Sequence, residues 1–130
     1  MAKYNLATVD TADAPEEELA IEDVLHFIKQ AIEDKKGEDV LVLDLEGQVD
    51  YLDYLIVCSG FTEIHNQAIA QNISSELARH DIIAEDIQGL KRGDWILLDF
   101  DVIVVHIFLP SLREFYRLEE LWSGGKEVQV

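Results

Sequence analysis

Apolar residues recur along this chain with two different periods, and the alternation between them predicts the order of its elements. Residues 1 to about 12 show neither period and read as an N-terminal tail. From Asp13-Ala14-Pro15 the chain has a capping acid, a proline for a first turn and a run of acids, which together predict a helix start. Ile21, Val24, Leu25, Ile28 and Ile32 follow at helical spacing, and Lys35-Lys36-Gly37 supplies the stop. Two short apolar runs, Asp39 to Leu45 and Tyr54 to Ser59, then read as buried strands. Thr62 is placed to cap a long helix with Ile64, Ile69, Ile73 and Leu77 on one stripe. Ile82 to Ile87 predicts a short strand that Gly89 ends. Ser111 to Glu114 fits a capping box, opening a last helix that runs to about Trp122 before a polar tail over residues 123–130. The order α-β-β-α-β-β-β-α predicts one α/β domain over residues 13–122, a mixed sheet of about five strands flanked by helices.

Between Gly89 and Pro110 lies the strongest hairpin signal. With Phe100-Asp101 as a two-residue loop, Trp95 would pair with His106 and Asp99 with Val102. Strand alternation then puts Ile96, Leu98, Ile103, Val105, Ile107 and Leu109 on one purely aliphatic face. The opposite face carries Trp95, Leu97, Asp99, Val104, His106 and Phe108. Its mixture of aromatics, aliphatics, an acid and a histidine matches the composition of a protein-binding patch. The competing reading is that a helix covers this face as well, which would make Trp95 an ordinary core residue.

Charge narrows the partner class. The chain has a net charge of −17 over 130 residues, and residues 1–53 alone carry −11. Such a surface repels phosphates, and the only close basic pairs are Lys35-Lys36 and Lys91-Arg92, so little direct nucleic-acid contact and a basic protein partner are expected. The absence of a long apolar run argues against a membrane span, and the N-terminal composition is that of a cytoplasmic protein.

The chemistry-bearing residues are sparse. Cys58 is the one cysteine and sits in an apolar run, as a small buried hydrophobe would. His26, His65, His80 and His106 have no metal-motif spacing, Ser59-Gly60 is not a nucleophile elbow, and no glycine-rich phosphate loop follows a strand. Asp99 and Asp101, with Asp44 as a candidate third member, form the one carboxylate set that could hold Mg²⁺. Aspartate is also an ordinary turn residue. No cofactor and no metal are therefore expected, and catalysis is the minor reading.

The C-terminal residues are distinctive as a string. Val105-His106-Ile107-Phe108-Leu109-Pro110, followed by Arg113-Glu114-Phe115-Tyr116-Arg117-Leu118-Glu119-Glu120-Leu121-Trp122, closely resembles the signature of the ribosomal silencing factor family, also called Iojap or RsfS. Asp94 to Phe100 is similar to that family's E-W-V-L-L-D-Y strand, and Asp53 to Gly60 to its A-D-Y-F-V-I-A-S-G segment. The resemblance implies a nucleotidyltransferase-like fold without catalysis. It also implies a protein that binds ribosomal protein L-fourteen on the large subunit, blocks joining of the small subunit and so represses translation. It extends the expected partner-binding set from Trp95, Leu97, Asp99, Val104, His106 and Phe108 to Arg113, Tyr116 and Glu119. An apolar hairpin face left open would also support a weak homodimer in the free protein. Two alternatives stand beside it: a metal-dependent nucleotidyltransferase-like enzyme using Asp99 and Asp101, and a ribosome assembly factor. The chain departs from the family at Phe61-Thr62-Glu63-Ile64, where Ile64 occupies a position usually held by arginine.

Overall fold

The computed structural model describes residues 19–122 and 124–130. The expected helix start at Asp13 lies outside the described residues. Ten elements follow in order: α1 (Ile21–Asp34), β1 (Glu38–Asp44), β2 (Tyr54–Ser59), α2 (Glu63–Ala78), β3 (Asp86–Gln88), β4 (Trp95–Asp99), β5 (Ile103–Phe108), α3 (Pro110–Tyr116), α4 (Leu118–Leu121) and β6 (Lys126–Glu127). They form one mixed sheet of six strands in the order β3-β4-β5-β2-β1-β6, with helices against it. Only β2 and β5 pair in parallel, with α2 lying in the crossover between them. The sixth strand arises in the segment expected as a polar tail: β6 pairs antiparallel with β1, and the Val128 N–H then donates to the Val42 carbonyl.

The sheet has a hydrophobic layer on each face. On one side, Val24, Leu25, Ile28 and Ile32 of α1 and Ile69, Ala70, Ile73 and Leu77 of α2 pack on Ile56, Cys58, Ile96, Leu98, Val105 and Ile107. On the other, Leu43, Leu45, Leu52, Leu55, Val57 and Phe108 form a smaller core beneath Leu112, Leu118 and Trp122. Central β2 is buried along its whole length, which explains why its sequence is a continuous apolar run.

Several local expectations are corrected. The stripe of α2 begins with buried Asn66, while Ile64 is 76% exposed in the first turn. Thr62 does cap this helix, accepting the His65 N–H at 3.0 Å. At the end of α1 it is Lys36 that takes the left-handed backbone (φ 65°). Gly37 is needed for space, because a Cβ there would lie 2.4 Å from Ile32 Cγ2. The strand expected over Ile82 to Ile87 is shifted to Asp86–Gln88, and Ile82 is instead buried beneath the helices. The capping box at Ser111 does not form: Leu109 is the N-cap of α3, no side chain caps it, and Pro110 fills the first position. The single last helix is two short ones, broken where Arg117 adopts a left-handed conformation (φ 47°).

The β4–β5 hairpin differs from its expected register by two residues. Trp95 pairs with Phe108, Leu97 with His106 and Asp99 with Val104. The Phe100 N–H donates to the Ile103 carbonyl at 2.8 Å, so the loop is Asp101-Val102 and Phe100 is fully buried. Burying the Phe100 side chain pulls it out of the loop, and a slip of two residues leaves every side chain on its expected face. Asp101 sits at positive φ (79°), a backbone position glycine usually takes. Asp101→Gly is therefore expected to raise stability by ~0.5–1 kcal/mol, the relief of strain exceeding the added unfolded-state entropy. The check is a melting midpoint above that of the parent. A midpoint that falls would show that the Asp101 backbone is relaxed as it stands.

Candidate protein-binding face

The sheet face opposite α1 and α2 is covered only in part. Among the described residues, Leu112, Leu118 and Trp122 pack over Leu43, Leu45, Leu52, Leu55, Val57 and Phe108, with Trp95 of β4 and Val104 of β5 partly buried at the margin of the same cluster. On the open strip beside it stand Leu97, Asp99 and Val104, all half-buried, with exposed Asp86 and Gln88 from edge strand β3. The hairpin face is therefore neither wholly buried nor wholly exposed.

Trp95 stands at the boundary between covered and open regions. Its ring lies 4.7 Å from Phe108 and 4.9 Å from Tyr116, centroid to centroid. Its Nε1–H donates to His106 Nδ1 at 3.0 Å, which assigns the other proton of the neutral imidazole to Nε2. Burial holds His106 in that neutral form, lowering its pKa to about 4. Phe108 is fully buried and His106 nearly so. Both lie beneath Trp95, with little surface of their own. Tyr116, 49% exposed, extends the aromatic surface, and Phe115, 76% exposed, packs edge-on against it at 4.9 Å. Phe115 was not among the expected contact residues, and its exposure is set by the short α3, which ends at Tyr116.

Arg113 and Glu119 are also brought together, but inward. Arg113 Nε donates to Glu119 Oε2 at 3.1 Å, and its Nη1 donates to the Asp39 carbonyl at 2.7 Å and to Ser59 Oγ at 3.2 Å. The Arg113 side chain is only 13% exposed. These bonds tie α3 and α4 to the β1 bulge and to the end of β2, and leave Arg113 little surface for a partner.

The model of the family described as "Ribosomal silencing factor during starvation" matches residues 18–130. The chain belongs to the ribosomal silencing factor family. It is 35% identical over 102 residues to the ribosomal silencing factor RsfS of Bacillus subtilis, covering 78% of this chain and 86% of that one. It is 27% identical over 103 residues to the mouse protein named "Mitochondrial assembly of ribosomal large subunit protein 1", covering 76% of this chain and 45% of the mouse one. The crystal structure of a Chromobacterium violaceum protein superposes with a TM-score of 0.79 at 29% identity, covering 85% of this chain and 92% of that chain.

Within this silencing-factor fold the possible metal ligands diverge. Asp99 Oδ1 accepts the Asp101 N–H at 2.8 Å, a turn-stabilising bond. Asp44 lies opposite Tyr54 on the side of α1 and α2, while Asp99 lies opposite Val104 on the other side of the sheet. Among the described residues no group of three His, Cys, Asp or Glu side chains is placed to hold a metal ion. Cys58 is wholly buried, and burial pushes its thiol up to about 12, so it is protonated at neutral pH. Where silencing factors usually carry arginine, Ile64 stands exposed, with Phe61 three residues before it 60% exposed. His65 holds that turn by accepting the Phe61 N–H at 2.9 Å and bonding the Lys35 carbonyl at 2.7 Å. Among the described residues, no helix is long and apolar enough to cross a membrane.

Proposed function

We propose that this silencing factor binds the large ribosomal subunit through ribosomal protein L-fourteen and blocks joining of the small subunit by occupying its place. The observation that carries this reading is the uncovered strip of sheet beside α3. Trp95, Leu97, Val104 and Tyr116 give it apolar area, and Asp86 and Asp99 give it negative charge. A partner suited to that strip is a protein surface with an apolar centre and basic rim, and a net charge of −17 disfavours bare RNA. The contact set of this reading is Trp95, Leu97, Asp99, Val104 and Tyr116, with Phe115 added. It is a binding role with no chemistry, carried out in the cytoplasm with the ribosomes. In the free protein the same strip pairs weakly with a second copy, and the ribosome displaces that copy.

Sucrose-gradient sedimentation tests the proposal. Purified protein added to separated subunits is expected to comigrate with large subunits and to reduce the peak of joined ribosomes. Protein that stays at the top of the gradient, with joining unaffected, would contradict it. The name of the mouse relative favours a second reading, a role in large-subunit assembly. Depletion separates the two: an assembly factor leaves immature large-subunit particles, whereas a joining block leaves mature subunits that associate more readily.

A further inference from the structure

We propose a second docking site on the opposite face of the sheet: the groove between α2 and edge strand β3 takes an extended basic peptide segment by strand addition. The groove has a volume of about 260 Å³ and is lined by Ala70, Gln71, Ser74 and Ser75 of α2 and by Ile87, Leu90 and Leu98. Ordinary small-molecule sites run to ~300–1,000 Å³, so this one is sized for a side chain or two. Its origin is local. The buried face of α2 lies over β4 and β5, and the small residues Ala70, Ser74 and Ser75 leave the helix too thin to reach β3. Ile87 pairs opposite buried Leu98 and points to the same side, yet it remains 41% exposed, and nearby Ile83 is 66% exposed. Gln67 of α2 ties the helix to the loop after β3 by donating to the Leu90 and Lys91 carbonyls at 2.9 and 3.0 Å.

Two features select the occupant. Among the described residues β3 is the terminal strand of the sheet and pairs only with β4, so its other edge offers backbone N–H and C=O groups to an incoming strand. The segment leading into it carries Asp81 and Glu85 beside the exposed Ile83, whereas Asp86, opposite Asp99, faces the other side of the sheet. A strand that alternates a central apolar residue with flanking lysines or arginines satisfies both the groove and the charge. This site does not depend on the Trp95 face, since the two lie on opposite sides of the sheet.

The probe is the capped pentapeptide Lys-Val-Ile-Val-Lys, titrated into the ¹⁵N-labelled full chain and followed by amide shifts. Saturable shifts are expected at Asp86 to Gln88 and at Ala70 to Ser75. Affinity is expected to fall at least 10-fold when both lysines are replaced by glutamate, and again when the central isoleucine is replaced by proline, which removes a ladder donor. Ser74→Trp, which fills the groove, should lose the peptide while retaining a dispersed spectrum and ribosome binding. Absence of shifts, shifts confined to the Trp95 face, equal affinity for the glutamate peptide, or concentration-dependent shifts at β3 without peptide would each overturn the proposal.

Discussion

Trp95→Ala is expected to weaken binding to the large subunit by about 30-fold or more while leaving the chain folded. Tryptophan dominates interface energies more often than any other residue, with truncation commonly costing ~2 kcal/mol or more, and ~1.4 kcal/mol is tenfold in affinity. Here the ring has a particular task. It is half-buried on Phe108, stacked beside exposed Tyr116 and held by its bond to His106, so its orientation is set before any partner arrives. Preorganisation of that kind lowers the entropic cost of binding. The same packing means that truncation also costs stability, roughly 2 kcal/mol, or about half of the ~3–5 kcal/mol for a fully buried aromatic. Ile96→Ala is the control. Ile96 is fully buried on the opposite face, so it should lower the melting midpoint at least as much while native protein binds normally. If Trp95→Ala and Ile96→Ala weaken binding to the same extent at equal folded fraction, Trp95 has no contact role.

Acid is expected to remove ~3 kcal/mol of folding stability through His106 alone. Burial lowers its pKa to about 4, from an ordinary 6.5. The direction follows from proton counting. Above pH 6.5 both folded and unfolded forms hold His106 neutral, and its full contribution is present. Between 6.5 and 4 the unfolded chain takes up a proton that the folded chain refuses, so stability falls with pH at up to ~1.4 kcal/mol per unit, reaching ~3 kcal/mol near pH 4. Once protonated, Nδ1 becomes a donor and can no longer accept from Trp95 Nε1. Many carboxylates titrate near the lower end of this window, so the measurement is a difference. Denaturant unfolding of the parent and of His106→Gln is compared from pH 8 to 4.5. The gap between the two curves should be constant above pH 7 and shift against the parent below 6.5. Parallel curves throughout would mean that His106 accepts its proton in the folded state.

Much of this protein was legible in the sequence, and the legible part is what depends on short-range repetition. The 3.6-residue spacing of Val24, Leu25, Ile28 and Ile32 marks α1, the unbroken apolar run Tyr54 to Ser59 marks a strand buried on both faces, and alternation along β4 and β5 assigns each side chain to a face. Because alternation has a period of two, the faces survived a two-residue error in the hairpin register. The C-terminal string from Val105 to Trp122 carried the family, since shared ancestry is written in residue identities and needs no coordinates.

What only the tertiary structure decided are properties of distance. How much of the mixed hairpin face is covered depends on how α3 and α4 lie, and that is set where Arg117 turns left-handed between them and where Arg113 is tethered to Asp39 and Ser59, 74 and 54 residues away in sequence. That cover divides the nine expected contact residues. Phe108 and His106 are buried, Arg113 and Glu119 bond each other inward, and Trp95, Leu97, Asp99, Val104 and Tyr116 stay at least partly exposed. The two residues of β6 pair only because β1 presents a free edge, and no local pattern in Lys126-Glu127 announces it. Asn66 takes the buried place on the α2 stripe expected of Ile64 for a similar reason. Asn66 is buried where its Nδ2 donates to the Gly93 carbonyl at 2.8 Å, a partner 27 residues distant, while the apolar Ile64 is left outside. Periodicity reports which side of an element is apolar; which surface lies against it is set by long-range packing, and that is settled only when the chain closes on itself.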